Sequence, residues 1–180
     1  GGRSGRMAIL KVRRYGDPVL RRHAAPVEEV TEHIRRIIAD LTETMYDEVG
    51  IGLAAPQVGS SLRLIVVGDE DGREARALIN PVITEQGGQV TAEEGCLSIP
   101  GIFAPVTRAE WVHVEARDPD GKPLAIDARG LGARVLQHEI DHLDGVLFID
   151  RLDPVTRDRI KRKIRKEGFP EDAPHRAFAL

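Results

Sequence analysis

His138 and His142 stand four residues apart, with Glu139 directly after the first, in Gln-His-Glu-Ile-Asp-His at 137–142. In a helix, residues four apart lie one above the other on the same face. Two imidazoles placed this way can each turn a ring nitrogen toward one divalent ion, and the carboxylate between them sits beside the ion without sharing its face. Such a carboxylate can take a proton from water that the ion has made acidic. The motif is short enough to arise by chance on a solvated helix. Its surroundings argue otherwise: Leu131, Val135, Leu136, Ile140 and Leu143 recur at three- and four-residue intervals, which predicts a helix facing a core. Gly130 and Gly145 bracket it, the second where a helix end favours a left-handed residue. Imidazoles buried in such a helix need partners.

A catalytic metal site uses three protein ligands and keeps one position open. In the pattern H-E-x-x-H-x-x-G-x-x-H, Gly145 falls correctly, but Phe148 stands where the third histidine belongs. A helical glutamate downstream is the other known completion. Only Glu167 and Glu171 are available for it, in a tail rich in Lys and Arg. The remaining soft ligand is Cys96, upstream in Glu-Glu-Gly-Cys-Leu-Ser-Ile-Pro at 93–100, and the only cysteine of the chain. A lone cysteine is more often a small buried hydrophobe than a ligand, so the residue type by itself leaves both readings open.

The elements that must position these groups can be read from periodicity and turn signals. Ala8 to Val12 is a strand or an anchored arm. Apolar positions from Glu28 to Val49 (Val30, Ile34, Ile37, Ile38, Leu41, Met45) predict a long helix, stopped by Gly50. Gly50 to Gly59, Gly-Ile-Gly-Leu-Ala-Ala-Pro-Gln-Val-Gly, reads as a loop, with Gln57 its one side chain of hydrogen-bonding reach. It lacks the residues of a phosphate-binding loop. Leu62 to Val67 is a buried strand and Asp69 to Gly72 a turn. Two strands, Ala75 to Ile79 and Val82 to Thr84, are expected on either side of Asn80-Pro81. Trp111 to Ala116 and Pro123 to Ala128 form a hairpin across Asp118-Pro119-Asp120-Gly121. Asp153-Pro154 opens a last, basic helix that Gly168-Phe169-Pro170 stops.

At 180 residues, 41% hydrophobic and 31% charged, the chain suits one globular domain, expected over 7–180, after a tag remnant or disordered tail at 1–6. A net charge of −3 gives no general affinity for DNA or anionic lipid, and no apolar run is long enough to span a membrane. One cysteine excludes an internal disulfide and suits a reducing, cytoplasmic setting.

Three stretches together resemble peptide deformylase: Gly-Ile-Gly-Leu-Ala-Ala-Pro-Gln at 50–57, Glu-Gly-Cys-Leu-Ser at 94–98 and Gln-His-Glu-Ile-Asp-His at 137–142. Each is moderately specific; the three in this order are highly so, and the similarity runs from Met7 to about Lys166. The resemblance implies an α+β fold, with antiparallel sheets around a central metal-binding helix, a long N-terminal helix and a C-terminal helix. It implies removal of the N-formyl group from the terminal methionine of nascent peptides, with one divalent metal held by Cys96, His138 and His142. Fe2+ would be native, and Zn2+ or Ni2+ could occupy purified protein. Glu139 would be the general acid/base, with Gln57 and the Leu97 N–H on the oxyanion and the Gly52 backbone close to substrate. Ile51, Gly52, Glu94, Leu131, Val135 and Arg108 are the expected substrate-side residues; Arg108 is placed where a cation could meet the peptide backbone, although an exposed strand-end arginine is more often simply solvated. The short span between the first two motifs resembles the class without an insertion. The resemblance also allows ribosome docking through the basic run Arg157 to Lys166, in a monomer.

Overall fold

The computed structural model describes residues 8–69, 74–170 and 180. The expected tail at 1–6 and most of the turn at 69–72 lie outside the described residues. In chain order the elements are α1 (Glu32–Asp47), β1 (Gly52–Ala54), β2 (Leu64–Gly68), β3 (Ala75–Gly87), β4 (Val90–Cys96), β5 (Ile99–Arg108), β6 (Trp111–Arg117), β7 (Pro123–Arg129), α2 (Gly130–Leu143) and α3 (Pro154–Glu167). One antiparallel sheet has the order β1-β2-β3-β6-β7, and β4-β5 is a separate antiparallel hairpin. The expected α+β class, with a long first helix and a last helix, is the fold observed.

β2 shows why the site helix sits where it does. Its apolar run is continuous because both faces are covered. Leu64 and Val66 pack against α1, with Ile34, Ile38, Leu41 and Met45. Ile65 and Val67 pack against α2, with Val135, Leu136, Ile140 and Leu143. The sheet therefore separates two cores, and α2 packs into the second, with residues 133–140 buried throughout. The hairpin makes a third cluster: Cys96, Ile99, Ala104 and Val106 pack on Leu147, Phe148 and Ile149. That cluster brings the end of β4 against the far end of α2.

Several boundaries differ from expectation for identifiable reasons. α1 begins at Glu32 because the Thr31 hydroxyl caps it, accepting from the Ile34 N–H. The expected loop at 50–59 contains β1, paired to Val67, Val66 and Ile65, and then a single turn of 3₁₀ helix at Ala55–Val58. The two strands expected around Asn80-Pro81 are one strand with a register shift between Ile79 and Val82. Pro81 is tolerated at that irregularity. Asn80 adopts a left-handed φ of 53°, and its side chain bonds both the N–H and the carbonyl of Val27. Residues 8–13 form the arm rather than a strand. The Ala8 and Leu10 N–H groups donate to the Asp40 carboxylate and the Thr44 hydroxyl, and the Arg13 N–H donates to the Gln57 carbonyl.

Candidate metal centre and active site

Cys96 ends β4, immediately before the two-residue turn Leu97–Ser98 that returns the chain at Ile99. The register shift between Gly95 and Cys96 aims the thiol off the hairpin toward α2. Gly95 has no room for a side chain there, since a Cβ would lie 2.4 Å from the Phe103 ring. The Sγ of Cys96 and one ring nitrogen each of His138 and His142 lie within 4.8 Å of one another, all buried. His142 Nε2 is 3.4 Å from the sulfur and 3.2 Å from His138 Nε2.

The donor set fits a divalent cation. His138 Nδ1 lies 2.8 Å from Glu94 Oε1, so its N–H faces that carboxylate and its Nε2 lone pair faces the cluster. Burial pushes both rings toward the neutral form that ligates metals, in His138 against the pull of Glu94. Burial, helped by the charge of Glu139, pushes the Cys96 thiol up. The cysteine therefore gives up its proton when a cation arrives and not before. One thiol with two imidazoles is a set that suits zinc, iron or nickel better than calcium or magnesium.

Glu139 lies beside this cluster. It is fully buried, and neither carboxylate oxygen has a hydrogen-bond partner among the described residues. Burial, reinforced by the charge of Glu94, raises its pKa well above the usual glutamate range. Gln57 is fixed from β1: its Oε1 accepts from the Ala54 N–H, and its Nε2 donates to the Ser98 hydroxyl at 3.0 Å while lying 3.6 Å from Cys96 Sγ. Gly52 supplies the room. A Cβ there would fall 2.5 Å from Glu139 Oε2 and 2.9 Å from Val135 Cγ1. Gly52→Ala is expected to lower kcat/KM by about 10²-fold, the scale of a 1 Å displacement of a reacting group. It should also cost about 1–3 kcal/mol of stability from overpacking. Steady-state kinetics and thermal denaturation of the same preparation check both effects.

Glu94 and Arg108, two of the expected substrate-side residues, lie in an ion-pair network. Both are buried and tied to each other. Arg108 donates Nε to Glu94 Oε2 and Nη2 to Oε1, and its Nη1 reaches Asp141. Arg134, four residues before His138 on α2, donates to the same Oε2 and to the carbonyls of Val106 and Val90. Burial opposes ionisation of Glu94, but the His138 hydrogen bond and the Arg108 pairing outweigh it and hold the group at about 2. Both carboxylate oxygens of Glu94 are thus committed inward, and the Nε, Nη1 and Nη2 of Arg108 each donate to a carboxylate. Leu131 and Glu94 do line a cavity of about 310 Å³, with Ala92, Arg134 and Leu180. Val135 instead packs against Gly52, and Ile51 is half-buried beside the α2 core.

Sequence reasoning missed Arg134, Ser98, Asp141 and Leu180. A signal existed for the first: an arginine one turn before His138, inside an apolar helix, needs a buried acid.

Residues 9–158 match the family described as polypeptide deformylase. The chain belongs to the polypeptide deformylase family. It is 50% identical over 161 residues to a peptide deformylase of Neisseria meningitidis, an alignment covering 89% of this chain and 96% of the relative. Its fold is similar to the crystal structure of a peptide deformylase from Legionella pneumophila (TM-score 0.83, 48% identity, 88% of this chain and 95% of that one). It is equally similar to that of the enzyme from Thermus thermophilus (TM-score 0.83, 46% identity, 88% and 95%). The deformylase family is metal-dependent, and among the described residues the buried Cys/His/His cluster is the group with donors for such an ion.

Proposed function

We propose that this chain hydrolyses the N-formyl group from the terminal methionine of newly made polypeptides and releases formate, with Glu139 as its acid–base group. The observation that carries this is the buried, partnerless carboxylate of Glu139 beside a cluster of one thiol and two imidazoles. No structural role explains an unpaired buried carboxylate, whereas a group that must accept and return a proton needs such a setting.

Cys96, His138 and His142 would hold the ion. A bound dication supplies water acidic enough to be deprotonated near neutral pH and polarises a carbonyl oxygen. Glu139 takes the proton of the attacking water and returns it to the leaving amine. Its raised pKa makes it a strong enough base for the first step and a ready donor for the second. The former formyl oxygen gains negative charge as the carbon becomes tetrahedral. Gln57 Nε2 and the Leu97 N–H would be its donors, and removing one such donor costs about 3 kcal/mol. The methionine side chain takes the cavity beside Leu131. The Gly52 backbone passes close enough to Glu139 to wall the cleft.

The native ion in this reading is Fe2+, with Zn2+ or Ni2+ able to replace it on the same donors. The chain would act as a monomer in the cytoplasm. No helix among the described residues is long and apolar enough to cross a membrane. α3 carries its basic run with no fully buried residue, which supports contact with ribosomal RNA phosphates.

The test is formate release from a formyl-Met peptide by protein loaded anaerobically with Fe2+. Release should stop on removal of the metal by a chelator and return on reloading. Formate release at an unchanged rate from metal-free protein would sink the mechanism. Internal cleavage of unformylated peptides would instead mark an endopeptidase.

A further inference from the structure

We infer that Leu180 of this chain is a ligand of its own substrate cleft, seated against the cavity proposed for the substrate methionine and displaced when substrate binds. The contact rests on geometry; its consequence for activity rests on the proposed deformylase reading. The Leu180 N–H donates to the Gly95 carbonyl, and the main-chain oxygen of Leu180 accepts from the Leu97 N–H, both at 3.0 Å. The two bonds straddle Cys96, as one rung of a parallel ladder does. Among the described strands β4 pairs only with β5, along one edge, which leaves its other edge for an added backbone. The side chain is 1% exposed and joins the α2 core with Val135 and Leu136. It lines the same cavity as Leu131, Glu94 and Arg134.

Substrate would therefore meet Leu180 at two points. The Leu180 side chain forms one wall of the cavity proposed for a methionine side chain. The N–H of Leu97, one of the two donors proposed for the developing oxyanion, is committed to Leu180. A backbone amide has one hydrogen and cannot serve both acceptors fully. Seating of Leu180 and productive binding of substrate exclude each other, and only the fraction of molecules with Leu180 released binds substrate. An apparent binding constant rises by the inverse of that fraction, while the rate of the bound complex does not change. A merely structural anchor would act otherwise, since its loss would lower stability and leave KM alone.

The experiment compares the full chain with Leu180→Asp and Leu180→Gly, each loaded with the same metal. KM for a formyl-Met peptide should fall about tenfold in both variants with kcat unchanged, as expected if about one-tenth of the full chain is competent at any moment. The peptide Ala-Phe-Ala-Leu, matching residues 177–180, should inhibit Leu180→Asp competitively. Hydrogen exchange at the Leu97 amide, read without substrate, should be protected in the full chain and faster in both variants. Unchanged KM together with unchanged Leu97 exchange would overturn the inference. So would faster exchange with unchanged KM, because Leu180 would then dock without competing. If no form releases formate while Leu97 exchange still rises in the variants, the deformylase reading fails and the seated Leu180 stands.

Discussion

Glu139→Gln is expected to lower kcat/KM for a formyl-Met peptide by about 10²- to 10⁴-fold, the range of a positioned acid–base group. Metal content per chain should stay at the wild-type level, because Glu139 lies outside the Cys96, His138 and His142 donor set. Stability should move the other way. A carboxylate with no partner in a fully buried position is unfavourable when charged, and the amide is neutral at every pH. The metal-free variant should therefore be more stable than metal-free wild type above the ordinary glutamate range. The folded-state pKa of Glu139 is raised, so its stabilising contribution is complete below the unfolded value of about 4.3 and is lost as pH rises through the folded value. The gap between variant and wild type should open across that window. Turnover, metal analysis and denaturation at pH 4 and pH 8 read the three effects. Full activity in Glu139→Gln would remove the acid–base assignment. A loss of metal would show that the residue is a ligand.

Much of this site was legible because its parts are local. A histidine pair at i and i+4 with apolar residues around it fixes one face of one helix, and α2 runs from Gly130 to Leu143 with both histidines buried. The thiol could be placed only through the resemblance, since nothing in its own neighbourhood says which face of which strand it leaves. What failed to show was long-range pairing of charge. Arg108 reads from sequence as a strand end, yet its partners are Glu94 across the hairpin and Asp141 on α2. Loops were misjudged for the same reason. Gly50 to Gly59 looks irregular by composition, but β2 offers a free edge and β1 pairs with it. The Leu180 contact left no sequence signal, because a leucine far from any motif carries no address.

Glu94→Ala should be the most damaging substitution to the fold near the site. It leaves Arg108 and Arg134 buried without their shared carboxylate, and breaking a buried pair by removing one partner costs about 3–5 kcal/mol. For a chain of this size that corresponds to a fall in Tm of about 10 °C. The same change frees His138 Nδ1 from the oxygen that orients the ring. Zinc affinity, measured by competition with a chelator, should fall by about 10- to 100-fold, the usual effect of losing such a partner. Glu94→Gln separates the two effects. An amide of the same shape can still accept from one arginine, so less stability is lost, but it cannot supply a full negative charge to His138, so the metal affinity still falls. The pH dependence has a definite sign. The folded-state pKa of Glu94 is depressed to about 2, so its contribution is present above the unfolded value of about 4.3 and is lost as pH falls through about 2. The margin of wild type over Glu94→Gln should therefore shrink on acidification and be constant from pH 6 to 8. If Glu94→Ala kept both its Tm and its zinc affinity, the carboxylate would not be what locks the hairpin, the two arginines and the metal histidine into one unit.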